Sequence, residues 1–150
     1  EHAPAVLTPH PGEMARLLGG DATPEYVQRN RIKIARQFAT EHNVVLVLKG
    51  YRTVVAAPDG EIWINPTGNT GLAKGGSGDI LTGLIVGFLA QKIEPIKAAL
   101  IGVYIHGFSA EVAAKRLTER AMTPEDVVNL LPQTFFSLVN YDDDPRLYTK

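Results

Sequence analysis

The sequence contains no cysteine among its 150 residues, which excludes a disulfide framework and a zinc site built on thiolates. The absence agrees with a reducing cytoplasm, where we expect the protein to reside. No stretch reaches the roughly 18 uninterrupted apolar residues that a membrane-spanning helix needs. Charge of one sign is not in excess either, since 15 basic and 16 acidic residues leave a net charge of −1. We therefore expect no nucleic-acid partner and no membrane partner.

The composition is typical of a soluble globular domain, with 45% apolar and 21% charged residues. A chain of 150 residues is long enough to bury a sizeable core. Residues 1–8 read as a strand entered part-way, without an initial methionine, so we expect part of a longer domain. We predict one α/β unit over residues 1–139 and a loose tail over 140–150, which holds three consecutive aspartates.

Short apolar runs alternate with helical patterns along the chain. The runs predict strands at 5–7, 44–48, 53–57 and 61–64. The second run is continuously apolar, as in a buried parallel strand, and Pro58-Asp59-Gly60 predicts a hairpin turn between the last two. Helices are predicted at 13–18, 24–41, 80–91, 95–117 and 124–139. The 80–91 and 95–117 helices are so apolar that we expect both to be buried.

Two features of these helices leave alternatives open. Basic residues of the 24–41 helix form either a binding patch or, as we expect in so neutral a chain, a solvent-exposed face: Arg29, Arg31, Lys33 and Arg36. His106 lies within an apolar helix, where we expect it to be packed or capped.

The segment from Asn65 to Leu84 carries the strongest chemical signal, because it holds six glycines and leads directly into an apolar helix. Dense glycine marks a place where the backbone approaches a ligand closely. Free N–H groups and the positive dipole end of the following helix make an anion site there, most often for phosphate. The predicted donors of this anion hole are Gly75, Gly76, Ser77 and Gly78.

Asp79 ends the glycine run and would repel a phosphate. It is understandable as a base that removes a proton from an attacking hydroxyl. The alternative is a flexible loop for which Asp79 is simply the helix N-cap. We interpret Lys74 as a point cation that neutralises phosphate charge, and the loop residues Asn65, Thr67 and Asn69 as braces of the turn.

Two further loops hold candidate site residues. Lys49 to Thr53 follows a buried strand at its carboxyl end, where open α/β sheets bind ligands, although Lys49 alone also fits a solvent-facing strand end. His10 lies between two prolines, and a lone histidine there is ordinarily structural or exposed. Glu13 fits a first-turn acid favoured by the helix dipole better than a residue that organises magnesium-bound water.

Three segments, Thr8 to Glu13, Leu48 to Thr53 and Asn65 to Leu84, resemble signatures of the bacterial ADP/ATP-dependent NAD(P)H-hydrate dehydratases. These enzymes are carbohydrate kinase-like members of the ribokinase-like superfamily. The resemblance covers residues 5 to about 135 and implies a three-layer α/β/α sandwich. The family domain is considerably longer on its N-terminal side, so this chain corresponds to its C-terminal portion.

The resemblance also implies a reaction. ADP or ATP phosphorylates the ring hydroxyl of NAD(P)H hydrate, and elimination then restores NADH or NADPH. Asp79 is the implied catalytic base and contacts the substrate together with His10. The implied nucleotide contacts are Lys49, Gly50, Tyr51, Arg52, Thr53 and Gly78. Mg²⁺ is expected on nucleotide phosphates and water, with no metal ligand from the protein, and relatives are often homo-oligomers.

Two other functions remain open at this point. A kinase of the same superfamily, acting on a small vitamin or sugar alcohol, would use the same glycine loop and Asp79 but would release a stable phosphate ester. A nucleotide-binding fragment without catalysis would be stabilised by nucleotide and would show no turnover.

Overall fold

A four-stranded sheet with the order β1-β2-β3-β4 organises residues 5–139, the part of the chain that the computed structural model describes. The strands are β1 (Val6–Leu7), β2 (Val45–Leu48), β3 (Val54–Ala56) and β4 (Ile62–Ile64). Strand β2 runs parallel to β1 and antiparallel to β3, and β4 is antiparallel to β3. All four predicted strands are therefore confirmed, within a mixed sheet.

The predicted hairpin turn joins β3 to β4. Gly60 has a φ of 88°, a conformation that glycine adopts without strain. The Asp59 carboxylate accepts a hydrogen bond from the Glu61 N–H at 3.0 Å, which is how aspartate commonly closes such a turn.

Seven helices are present in the described residues: α1 (Pro11–Leu18), α2 (Pro24–Arg29), α3 (Arg31–His42), α4 (Ser77–Ala90), α5 (Pro95–Ala121), α6 (Pro124–Asn129) and α7 (Leu131–Val139). A single 3₁₀ turn, Thr70–Leu72, lies within the glycine-rich segment. Helix α5 is kinked at Thr118, whose φ of 69° and ψ of 157° are not helical. The predicted end of that helix at residue 117 coincides with the kink.

Two predictions of single helices, at 24–41 and 124–139, are wrong. The first breaks at Asn30, whose side-chain amide donates to the Tyr26 carbonyl at 2.9 Å. Asparagine readily makes such local bonds in competition with the helical ladder. The second breaks at Leu130. Pro132 follows, and in a continuous helix it would lack the N–H for the helical hydrogen bond and its ring would clash with the preceding turn.

Helices cover both faces of the sheet. On one face, Leu46, Leu48 and Val54 pack against α3 residues Ile34 and Phe38 in a buried cluster. On the other face, β2 and β3 pack against α4 and α5 through a second cluster that includes Val45, Val47, Val55, Leu81, Ile85 and Val103. The alternation of side chains along a strand sends successive residues to opposite layers. The three-layer α/β/α arrangement is therefore present.

The two apolar helices differ in burial. The prediction that α4 is buried is wrong for one of its faces: Leu81 and Ile85 are buried, but Val86 is 55% exposed. Only one side of α4 packs against α5 and the sheet. Helix α5 is buried over much of its length, as predicted. By length and composition it would reach across a membrane, yet 61% of its apolar window is buried inside the fold, as in a core helix. The predicted tail at 140–150 lies outside the described residues.

Candidate functional site

The carboxyl ends of β1 and β2 lie side by side, which brings two candidate loops together. The strands are parallel, with Leu7 opposite Leu46, so the segments that follow β1 and β2 leave the sheet at the same edge. Beyond the strands the contact continues, since the Lys49 N–H donates to the Pro9 carbonyl at 2.9 Å. The loop that carries His10 and the segment that begins at Lys49 are therefore neighbours, at the edge where such sheets bind ligands.

His10 is the N-cap of α1. Its Nδ1 accepts hydrogen bonds from the N–H groups of Gly12 at 3.0 Å and Glu13 at 3.2 Å. In return, the Glu13 carboxylate accepts the His10 N–H at 2.7 Å, which completes a capping box. Because Nδ1 is an acceptor, a neutral His10 ring carries its proton on Nε2. This cap cannot be predicted from the sequence alone, since histidine is not a preferred N-cap residue.

Glu13 also contacts Lys49. Its Oε2 atom lies 3.6 Å from the Lys49 Nζ, and its Oε1 atom lies 3.5 Å from the His10 Nε2. The pKa of Glu13 is lowered, chiefly by the hydrogen bond from the His10 backbone and further by the Lys49 ammonium, against the opposing effect of burial. Glu13 is therefore a first-turn acid, as expected, and it additionally joins two candidate loops.

The Lys49 ammonium lies against the first turn of α4. A Cβ atom added at Gly78 would be 3.0 Å from the Lys49 Nζ. One turn further along α4, the hydroxyls of Thr8 and Thr82 are 3.3 Å apart, so the loop between β1 and α1 touches α4 as well. The side chain of Lys49 is only 23% exposed, and the alternative of a solvent-facing strand end is wrong.

The head of α4 is built by the glycine run. Gly76 is the N-cap, with a φ of 93°, and Asp79 is an exposed residue of the first helical turn. The alternative in which Asp79 is the cap is therefore wrong. The N–H of Ser77 donates to the Lys74 carbonyl at 3.3 Å. For the N–H groups of Gly75, Gly76 and Gly78, no acceptor is found among residues 5–139.

The glycine-rich segment is held firmly on α5. The Gly68 N–H donates to the Glu111 carboxylate at 2.9 Å, and the Asn69 side-chain amide donates to the Ala110 carbonyl at 2.9 Å. The Asn65 amide bonds to the Thr67 carbonyl at 3.0 Å. The expected bracing role of these asparagine and threonine residues is confirmed, and the alternative of a flexible loop does not hold.

Lys74 does not point at the anion site. Its ammonium donates to the Arg120 carbonyl at 2.9 Å and also to the Met122 carbonyl. These carbonyls end α5, where a cation is favoured by the helix dipole and by unpaired acceptors. The prediction that Lys74 neutralises phosphate charge is therefore wrong, because the side chain instead caps a helix.

The segment from Lys49 to Thr53 forms a tight bend. The Thr53 hydroxyl donates to the Gly50 carbonyl at 3.1 Å, and Gly50 has a φ of 145°. The bend presents two side chains outward: Tyr51 is 80% exposed, and the Arg52 guanidinium lies 5.7 Å from the centre of its ring. A flat aromatic surface next to a cation is suited to a ligand that has both a ring and negative charge.

His106 of α5 lies buried near the head of α4, so the expectation of a packed residue is confirmed. Its pKa is lowered to about 4, chiefly by burial and slightly by the Lys49 ammonium, whereas the Ser77 backbone opposes the shift. The ring is therefore neutral at pH 7. Its Nε2 has no hydrogen-bond partner in the described part of the chain.

The site offers no ready-made metal centre. Within the described range, no group of three or more histidine, aspartate or glutamate residues lies close enough to hold a metal ion. The described residues therefore do not form a cage that would hold Mg²⁺ by protein side chains alone. An apolar groove of about 440 Å³, lined by Trp63 and Leu100 among others, is separate from this site, because none of His10, Lys49 and Asp79 lines it.

The fold defines the class of protein. A solved structure of a ribokinase-like superfamily protein from Enterococcus faecalis matches with a TM-score of 0.71 and 32% identity, over 88% of this chain and 44% of its own. The chain is thus a ribokinase-like α/β protein, as predicted. A family model described as NAD(P)H-hydrate dehydratase matches residues 1–133, and the chain belongs to this family.

Two relatives illustrate the match. The bifunctional NAD(P)H-hydrate repair enzyme of Moorella thermoacetica is 50% identical over 138 residues, which cover 92% of this chain and 26% of that enzyme. The ADP/ATP-dependent NAD(P)H-hydrate dehydratase of Bacillus subtilis, co-crystallised with ATP and Mg²⁺, is 41% identical with a TM-score of 0.84, over 89% of this chain and 47% of its own. The chain therefore spans about half the length of the Bacillus dehydratase and about a quarter of the Moorella enzyme.

Proposed function

We propose that this chain takes part in the ADP- or ATP-dependent dehydration of NAD(P)H hydrate to NADH or NADPH, a lyase reaction that repairs damaged nicotinamide nucleotides. The observation that carries the proposal is the position of the Lys49 ammonium, between Glu13 in the first turn of α1 and Gly78 at the head of α4. Through this contact, the three segments that resemble the dehydratase signatures converge at one edge of the sheet.

The head of α4 is proposed to bind the phosphate that is transferred. The amides of Gly75, Gly76 and Gly78 lie at the positive end of a 14-residue helix, and Ser77 belongs to the same turn. Because the Ser77 N–H already bonds to Lys74, the glycine amides are the better donors. The ammonium of Lys49, adjacent to Gly78, adds a positive charge.

Asp79 is proposed as the catalytic base and as a contact of the substrate. It is exposed in the first turn of α4, next to the amides that would hold the phosphate. It would take the proton of the substrate's ring hydroxyl as the hydroxyl oxygen forms its bond to the terminal phosphorus of the nucleotide, while the phosphoanhydride bond breaks and AMP leaves from ADP, or ADP from ATP. The phosphorylated hydroxyl is then a leaving group, and its elimination restores the ring of NADH or NADPH.

The remaining contacts are proposed to divide between two ligands. Gly78 and the bend formed by Lys49, Gly50, Tyr51, Arg52 and Thr53 would contact the nucleotide, with Tyr51 and Arg52 available to its base and phosphates. His10 would contact the hydrated dinucleotide through Nε2–H, because its Nδ1 is already occupied by the α1 cap. Mg²⁺ would be held by nucleotide phosphates and water rather than by the protein.

The wider assignments are proposals as well. We take residues 1–139 as part of a ribokinase-like dehydratase domain and residues 140–150 as a tail. A cytoplasmic location fits the absence of cysteine. Assembly into a homo-oligomer fits the apolar side chains on the outside of the fold, such as Val86 at 55% exposure. Sedimentation of the purified chain tests the last of these.

The test of the proposed reaction is to supply the purified chain with NAD(P)H hydrate, Mg²⁺ and either ADP or ATP, and to follow NADH absorbance. We expect NADH to appear only with nucleotide, and to form about 10²- to 10⁴-fold more slowly with an Asp79→Asn variant. Accumulation of a phosphate ester on another alcohol, without NADH, would instead support a kinase. Stabilisation by nucleotide without any turnover would indicate a nucleotide-binding chain that is not catalytic.

A further inference from the structure

Arg31 reaches from the start of α3 to the bend that follows β2. Its Nη1 donates to the Tyr51 carbonyl at 2.6 Å, and its Nη2 donates to the Leu48 carbonyl at 2.9 Å. The two carbonyls flank Lys49 and Gly50 in the chain. One guanidinium therefore connects the end of the strand to the tip of the bend.

The guanidinium lies directly beneath Gly50. A Cβ atom at that position would be 3.2 Å from the Arg31 Nη2 and 3.3 Å from its Cζ. The positive φ of Gly50, 145°, turns the backbone over the planar group. Glycine is therefore suited to this position for two reasons, its conformation and the close approach of Arg31.

Arg31 carries its charge without a carboxylate partner. No ion pair to it is found in residues 5–139, and its Nε is buried with no hydrogen-bond partner there. Its side chain is half-buried, and burial lowers its pKa from the usual arginine value. A buried cation is costly unless something compensates it, and the compensation visible here is the pair of bonds to the bend. The expectation that Arg31 belongs to a solvent-exposed face is thus wrong.

We propose that Arg31 is a positioning residue, which holds the bend from Lys49 to Thr53 in the shape that binds the adenine nucleotide. The inference rests on the proposed function for the identity of the ligand. Arg31 does not contact the nucleotide itself. It fixes the backbone from which Tyr51 and Arg52 project, because two separate nitrogens of one rigid, planar guanidinium bond to the Leu48 and Tyr51 carbonyls, a geometry that the flexible point charge of a lysine ammonium does not reproduce.

Arg36 provides a matched control on the same helix. Its Nε donates to the Gly60 carbonyl at 3.1 Å, in the turn between β3 and β4. The bond has the same chemistry, an arginine of α3 on a loop carbonyl, but the loop is not part of the proposed site. Removal of Arg36 therefore reports what the loss of such a bond costs in general.

The experiment compares the variants Arg31→Gln, Arg31→Lys and Arg36→Gln in the full chain. Amide hydrogen exchange is measured over residues 49–53 and 58–61, and the affinity for Mg²⁺-ADP is measured by calorimetry. We expect Arg31→Gln to speed exchange selectively at 49–53 and to weaken ADP binding on the order of tenfold. Arg36→Gln is expected to speed exchange only at 58–61 and to leave ADP affinity within about twofold.

Arg31→Lys keeps the positive charge but removes the two hydrogen-bond donors of the guanidinium. It also replaces the glutamine variant if that variant fails to fold. We expect it to weaken ADP binding nearly as much as Arg31→Gln does. Normal ADP affinity in Arg31→Lys, or unchanged exchange at 49–53 in both Arg31 variants, would overturn the inference. If the wild-type chain itself does not bind ADP, the proposed function fails instead, and the exchange data still decide whether Arg31 orders the bend.

Discussion

The Glu13 carboxylate lies 3.6 Å from the Lys49 ammonium, and this pair links the loops that leave the parallel strands β1 and β2. The same carboxylate closes the capping box of α1 by accepting the His10 N–H. One side chain thus stabilises a helix start and orients two residues of the proposed site. A change at Glu13 is therefore expected to affect both stability and ligand binding.

Replacing Asp79 by asparagine tests its assignment as the base. Asparagine keeps the size of the side chain but cannot accept the proton, so NADH formation should fall by about 10²- to 10⁴-fold. Because Asp79 is exposed in the first turn of α4, its loss should cost at most about 1 kcal/mol of stability through the helix dipole. Turnover and thermal unfolding are measured on the same preparation. Full turnover in the variant would eliminate Asp79 as the base.

Glu13→Gln is expected to reduce the dependence of stability on acid pH. The folded-state pKa of Glu13 lies below its ordinary value of 4.5, so its stabilising effect is fully present above that pH. The effect is lost as the pH falls through the folded-state pKa, where the carboxylate is protonated. The gap between melting temperatures at pH 7 and pH 3 should therefore be smaller in Glu13→Gln than in wild type.

The matched control for this experiment is Glu125→Gln, in the first turn of α6. Glu125 is exposed and makes no hydrogen bond or ion pair within the described residues. We expect its variant to keep the wild-type gap. Equal gaps in all three proteins would show that the Glu13 contacts do not contribute to stability.

Protonation of His106 is expected to lower the free energy of unfolding as the solution is acidified, in a pH range above the one in which Glu13 is protonated. Its pKa is about 4 in the folded chain against an ordinary 6.5, so the unfolded state binds the proton more tightly. Stability is therefore complete above pH 6.5 and is lost as the pH falls towards 4, by on the order of 3 kcal/mol in total. His106→Gln should remove this slope, whereas His42→Gln, at the exposed end of α3, should retain it. Urea unfolding between pH 5 and pH 7.5 gives the comparison.

Two glycine-to-alanine changes are expected to act in opposite directions. A Cβ at Gly107 would lie 2.7 Å from the Thr67 carbonyl carbon, so Gly107→Ala must displace the glycine-rich segment and should cost about 1–3 kcal/mol. A Cβ at Gly87 of α4 meets no atom within 4 Å. Gly87→Ala should therefore stabilise the helix by about 0.5–1 kcal/mol. Chemical denaturation measures both, and a loss of stability in Gly87→Ala would contradict this account.

Local signals in the sequence were sufficient for the strands and for the starts of α2, α5 and α6. Thr23 and Thr123 cap their helices, and Pro58 to Gly60 makes the hairpin turn, because these residues act through bonds to their immediate neighbours. The breaks at Asn30 and Leu130 were missed, since an amphipathic pattern continues across a short interruption and hides it. The exposure of one face of α4 depends on which elements pack against it, and composition does not contain that information.

The sequence by itself determined the family, the α/β class and the chemical types at the site, because three motifs carry them in local order. The tertiary structure alone decided what each residue contacts. It turned Lys74 from a phosphate ligand into a cap of α5, and it moved Arg31 from a solvent-exposed face to the underside of the Gly50 bend. The physical reason is that long cationic side chains bind whichever acceptors the fold brings within reach, and those acceptors are 17 to 48 residues away in the chain.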